Sequence, residues 1–153
     1  MDAIVQENKL VNVLHPQTLS SVATGDYICM KNYQHVSFIV SVGALTTGSL
    51  LQIKEAKTAG AGSAAVIDPG HYWVSGATPS DTMTKTSTAS SATGITTANK
   101  TYTIELDGSQ LSDDFDWVTL YVASSTAASM ITGAVAVLSK PRYASAAPPT
   151  AIT

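Results

Sequence analysis

Apolar and polar positions alternate with a period of two along much of the chain. Between His35 and Val42, residues Val36, Phe38, Val40 and Val42 fall on one side and Ser37, Ile39 and Ser41 on the other. Successive side chains of an extended chain point to opposite faces, so this run predicts a strand with one buried and one mixed face. Tyr102, Ile104 and Leu106 alternate in the same way with Thr101, Thr103 and Glu105, as do Leu51 and Ile53 with Gln52 and Lys54. Trp117–Val122 is aromatic and β-branched, a composition that packs well on a pleated surface. Met130–Leu138 is small or apolar at nearly every position, which predicts a strand covered on both faces. Shorter strands are expected at Leu10–Leu14, Asp26–Lys31 and Tyr72–Val74. Phe38, Val40, Ile104, Leu120 and Val137 are expected to meet in one interior between two sheets.

Turn-forming residues separate these runs: Thr24-Gly25-Asp26, Gly43, Thr47-Gly48-Ser49, Gly60-Ala61-Gly62, Asp68-Pro69-Gly70 and Asp107-Gly108. No helical periodicity lasts three turns, and a single helical turn is expected near Asp107–Leu111 or Pro16–Ser21. About eight short strands predict an all-β, single-domain β-sandwich, jelly-roll-like or Greek-key in topology. Its body spans residues 10–143. Residues 75–99, rich in Ser, Thr and Ala, read as a long loop excursion with room for a small hairpin around Met83–Thr86. Residues 1–9 and 144–153 read as extended N- and C-terminal arms outside the core, the second carrying Pro148-Pro149.

Composition narrows the class. Charged residues make up 12% of the 153, about half the usual ~25%, while hydrophobic residues reach 44%. That balance belongs to a folded protein rather than a disordered one. The net charge is −3 with eight basic residues scattered along the chain, so neither a nucleic-acid footprint nor a polybasic membrane patch is expected. No apolar run approaches the ~20 residues of a membrane span. Met1-Asp2-Ala3-Ile4 lacks the basic and apolar regions of a signal peptide. Cys29 is the single cysteine, so no internal disulfide forms.

Candidate chemistry is sparse. His15, His35 and His71 lack metal-ligand spacing, and turn or cap roles suit His15 and His35 better. Cys29, between Ile28 and Met30, reads as a buried inert thiol. Asp113, Asp114 and Asp116 form an acidic cluster that differs from an EF-hand loop, and a solvated loop is favoured over a Ca²⁺ site. Asn99-Lys100-Thr101 is a glycosylation sequon that matters only in a secreted eukaryotic chain. Gly60-Ala61-Gly62 is not followed by a helix pattern and makes no phosphate loop. Tyr72-Trp73 and Trp117/Tyr121 suit core and interface roles ahead of a sugar platform. No nucleophile, base and orienting group assemble by motif. The expectation is a non-enzymatic chain without catalytic, cofactor-binding or metal residues.

The succession of segments resembles small virion structural proteins of tailed bacteriophages and prophages, of the head-decoration type. The resemblance runs through Lys9–Pro16, Gly25–Tyr33 with its Lys-Asn-aromatic turn, the alternation from Val36 to Val42, and Ile53–Ala56. It continues through Tyr72-Trp73, Asp81–Thr84, Tyr102–Asp107, Asp116–Val122 and Leu138–Tyr143. It implies a β-domain that binds an assembled shell or tail, commonly as a trimer, and supplies no catalytic residues. The leading expectation is a capsid decoration (cement) protein. It would be made in the host bacterial cytoplasm and bind the major capsid protein on the capsid surface as a homotrimer, with no cofactor, nucleic acid or membrane. A tail-tube or head–tail joining component is the alternative, and a carbohydrate- or host-binding module a third.

Overall fold

The computed structural model describes residues 4–76, 79–88, 92–123, 129–142 and 149–152. A one-turn helix, α1 (Ile4–Glu7), leads into β1 (Lys9–Leu19), β2 (Ala23–Thr24), β3 (Ile28–Cys29), β4 (Tyr33–Leu45) and β5 (Ser49–Ala56). There follow β6 (Ala65–Ile67), β7 (His71–Ser75), β8 (Met83–Ser87), β9 (Thr93–Ile95), β10 (Lys100–Asp107), β11 (Trp117–Ala123) and β12 (Met130–Pro141). These strands form two antiparallel sheets packed as a β-sandwich. The first sheet has the order β1-β12-β4-β10-β7-β8. The second has the order β2-β11-β5-β6, with β3 also on β11 and β9 also on β5.

The period-two runs become the inner faces. Phe38 on β4 stands opposite Ile104 on β10 and Ala136 on β12. Leu120 on β11 stands opposite Ile53 on β5. Val36, Val40, Leu106, Leu138, Leu51, Val118 and Val122 join them in one continuous buried cluster. At one side of the sandwich the backbone itself bridges the sheets. The Gly25 N–H donates to the Leu120 carbonyl and the Asp26 N–H to the Val13 carbonyl. Thr119, fully buried, donates its hydroxyl to the Gly25 carbonyl at 2.7 Å. A Cβ at Gly25 would lie 2.8 Å from the Val13 oxygen, so only glycine fits this crossing.

Several expectations are corrected. Val137 does not face the interior. β12 turns Met130, Thr132, Ala134, Ala136 and Leu138 inward, which leaves Ile131, Gly133, Val135 and Val137 on the outer face. The strand is therefore covered on one face within this chain, not on both. Pro16–Ser21 is no helical turn, since β1 runs on to Leu19. Its pairing with β12 shifts register on either side of Leu14, and Pro16, without an N–H, sits at that irregularity on an edge strand, where proline is tolerated. Of Asp26–Lys31, only Ile28 and Cys29 are strand, because Gly25 and Asp26 spend their N–H groups on the inter-sheet bridge. Residues 75–99 hold more structure than a loop. β7 and β8 make a hairpin, and β9 pairs with β5 and buries Ile95 completely.

Pro149–Ile152 is not a free arm. The Cys29 N–H donates to the Ala151 carbonyl at 2.8 Å, the Tyr33 hydroxyl donates to the Pro149 carbonyl, and Ala151 belongs to the buried cluster. The rest of the expected C-terminal arm, 144–148 and 153, lies outside the described residues, as do 1–3. A 3-10 turn at Gly108–Gln110 meets the expectation near Asp107–Leu111.

Candidate functional site

The residues singled out for chemistry are scattered over the fold. His15 is exposed, and its Nδ1 lies 3.1 Å from the Asn12 side-chain amide. With the Asn12 oxygen facing His15, the Asn12 amide nitrogen donates to the Leu14 and Ala134 carbonyls, which pins the irregularity in β1. His71 packs edge-on against Trp73. Cys29 is half-buried on β3, with its backbone paired to Trp117. Asp113, Asp114 and Asp116 are all exposed. Asp114, at φ 67°, reaches Lys57 at 3.7 Å, and the Asp116 carbonyl accepts from the Met30 N–H. Among the described residues no three His, Cys, Asp or Glu side chains are placed to hold a metal ion. Gly60-Ala61-Gly62 is a turn closed by the Gly62 N–H on the Thr58 hydroxyl and leads into a strand. Asn99, exposed at φ 56°, donates its N–H to the Gly43 carbonyl at the start of β10.

The aromatic pairs do not form platforms. Adjacent strand residues point to opposite faces. Tyr72 therefore packs inward against Tyr102, with ring centroids 6.3 Å apart, while Trp73 looks outward. Trp117 and Tyr121 share the outer face of the second sheet, but the Lys54 ammonium sits 3.4 Å above the Tyr121 ring, a cation–π contact that occupies its face.

A row that no motif announces lies at one end of the first sheet. Ser139, His35 and Asp107 stand side by side on β12, β4 and β10. These are the residue types of a hydrolytic triad, but their wiring differs from one. A triad joins the carboxylate to Nδ1 of the imidazole and the serine to Nε2. Here His35 Nδ1 faces the Ser139 hydroxyl at 3.1 Å. The Asp107 carboxylate accepts instead from the Ser109 N–H and hydroxyl at 3.2 and 3.0 Å, as the cap of the 3-10 turn. Those two hydrogen bonds hold the Asp107 carboxyl below its usual range, with smaller help from Lys140 and His35 against the cost of burial. Positions 35, 107 and 139 are brought together only by strand register, so no local sequence signal could have found them.

The most extensive feature is the outer face of the first sheet. One row across it reads Lys85, Trp73, Thr103, Ile39, Val135 and Asn12. The next reads Glu105, Ser37, Val137 and Leu10. Outward positions of a sheet that meets only water are normally polar, yet this face turns Ile39, Ile131 and Leu10 out at 41%, 47% and 40% exposure. Over β1, β12 and β4 it sinks into an apolar groove of about 560 Å³, lined by Leu10, Leu14, Pro16, Ile39, Ile131 and Val135 among others, with Ile4 of α1 at its margin. Gly133 forms part of the floor. A Cβ there would lie 2.9 Å from Pro16, so the close approach of β1 requires glycine.

No family model matches this chain, and no curated protein matches it in sequence. Among solved structures, the crystal structure of the SPBc2 prophage-derived protein YomS is similar at 12% identity and a TM-score of 0.46, covering 90% of this chain and 100% of that one. A likeness at this level passes on neither functional residues nor partners.

Proposed function

We propose that this chain is a structural component of a bacteriophage particle, acting as a capsid decoration (cement) protein that binds the major capsid protein on the head exterior and stabilises it. The observation that carries the reading is the apolar groove on the outer face of the first sheet, over β1, β12 and β4, which no charged side chain lines. An exposed apolar surface rimmed by polar residues is the kind of surface that binds a partner. The succession of segments that resembles phage virion proteins supplies the biological setting. Low charge suits many identical copies crowded on one lattice, where like charges would repel. The chain works by docking and not by catalysis, without a cofactor or nucleic acid, as a small homo-oligomer. The exposed apolar side chains of α1, Ile4 and Val5, would add contacts on the shell.

Cosedimentation of the purified protein with expanded empty heads of the phage or prophage that encodes it tests the reading. Saturable binding to expanded heads, with heads that withstand higher temperature once coated, is the expected result. Absence of binding to heads, together with rings or tubes formed by the protein alone, would favour a tail-tube component instead.

A further inference from the structure

We infer that Asp107-Gly108 is a latent isoaspartate site, which the folded chain holds closed at the end of β10 and opens to isomerisation only when that end comes apart.

The chemistry is intramolecular. The backbone nitrogen of the residue after an aspartate gives up its proton and bonds to the aspartate Cγ. That proton leaves with the hydroxyl of the protonated carboxyl as water, and a five-membered succinimide ring remains. Water then adds to the former backbone carbonyl carbon and breaks its bond to the nitrogen. The chain is left running through Cβ and Cγ, with an extra backbone atom and a free α-carboxylate. A side chain on the following residue crowds the attacking nitrogen, so glycine, which has no Cβ, reacts most readily. Of the ten glycines in the chain, only Gly108 follows an Asp or an Asn.

The fold works against this reaction. Ring closure requires the Gly108 nitrogen to eclipse the Asp107 side chain about the Cα–C bond. Asp107 is extended instead, at φ −92° and ψ 141°, and its pairing with His35 holds it there. Its carboxylate is drawn forward over the 3-10 turn, where it accepts from the Ser109 N–H and hydroxyl at 3.2 and 3.0 Å. Its own N–H donates to Gln110 Oε1 at 2.9 Å. The bonds from Ser109 hold the carboxyl below its usual range, and an ionised carboxylate has no hydroxyl to lose. Room is not the obstacle, because Asp107, Gly108 and Ser109 line a surface hollow of about 320 Å³ with Gln34 and Arg142. Torsion and hydrogen bonds do the protecting. Both are lost together when the end of the strand frays, a local opening that costs less than unfolding the core.

Incubation of the full chain at mildly acidic pH, where part of an ordinary aspartate population is protonated, tests the inference on folded protein and on protein in guanidinium chloride. The product has the mass of the starting material, so peptide mapping with chromatographic separation of the isomers and isoaspartyl methylation reads it. The unfolded chain should accumulate isoaspartate at position 107. The folded native chain should do so at least about tenfold more slowly, as a site that reacts only when open does. Ser109→Ala with Gln110→Ala removes two of the three hydrogen bonds that hold Asp107 in the turn. The double variant, verified as folded by a thermal melt, should isomerise about threefold or more faster than the native chain. Gly108→Ala, whose Cβ would stand 3.4 Å from the Gln34 carbonyl oxygen and so fits, should suppress the product in both states. A folded native chain that isomerises as fast as the unfolded one would overturn the inference. So would a folded double variant no faster than the native chain, or product in the unfolded chain that is indifferent to Gly108→Ala.

Discussion

Phe38 has no exposed surface and sits between Ile104 and Ala136 in the middle of the first sheet. Phe38→Ala should lower the unfolding free energy by ~3–5 kcal/mol, the usual cost of emptying a buried aromatic site. Chemical denaturation measures it, and a loss under about 1 kcal/mol would mean that this site does not behave as core. Asp107 makes a different kind of contribution. Its folded carboxyl lies below the usual value because Ser109 donates two hydrogen bonds to it. The unfolded chain therefore takes up this proton first as the solution is acidified. The stabilisation is complete above the ordinary aspartate range and is lost as pH falls through the lower folded value. Asp107→Asn should thus melt below the native protein at neutral pH, with the gap closing in acid. A gap that is constant with pH would show that the ionised carboxylate adds nothing. The Ser139–His35–Asp107 row carries the matching lesson about chemistry: residue types alone suggest a triad, and the atoms that touch decide otherwise.

At the scale of elements, legibility followed pattern strength. β4 and β10 were readable because large apolar residues recur at every second position, so both strand and inward face follow, whereas β11 was readable as a strand from its aromatic and β-branched composition. β12 was readable as a strand but not in register. In Met130–Leu138 both alternating sets are apolar or small, so neither announces itself as the inner one. The structure puts Ala134 and Ala136 inside and Val135 and Val137 outside, since Phe38 and its neighbours already fill the volume opposite. β6 and β9 are three residues each, too short for any periodicity. Pro149–Ile152 carries no pattern at all. Its place is set by two backbone acceptors, the Pro149 and Ala151 carbonyls, that meet the Tyr33 hydroxyl and the Cys29 N–H. Removing residues 149–153 should therefore lower stability by about 1–3 kcal/mol, the cost of leaving buried donors unpaired, with a fall in Tm read by calorimetry. An unchanged Tm would make the segment the free arm that its composition suggested.

At the scale of the whole molecule, two sheets share one core, and one of them carries an apolar groove on its outer face. The sandwich class followed from the spacing of the strands, whereas the docking face depends on the register of β12 and on how β1 closes over Gly133, which only the three-dimensional arrangement reveals. The function proposed for that arrangement is attachment: a body of low charge that gives up apolar surface to a shell. Ile4 and Val5 on α1 stand exposed on the outside of that body, where they can reach a neighbour. The most direct measurement is a cryo-electron microscopy map of the particle whose genome encodes the chain. The account predicts density for this sandwich at repeated positions on the outside of the head, in contact with the major capsid protein and with the outer face of the first sheet covered. A map of the complete particle with no such density on the head would contradict it.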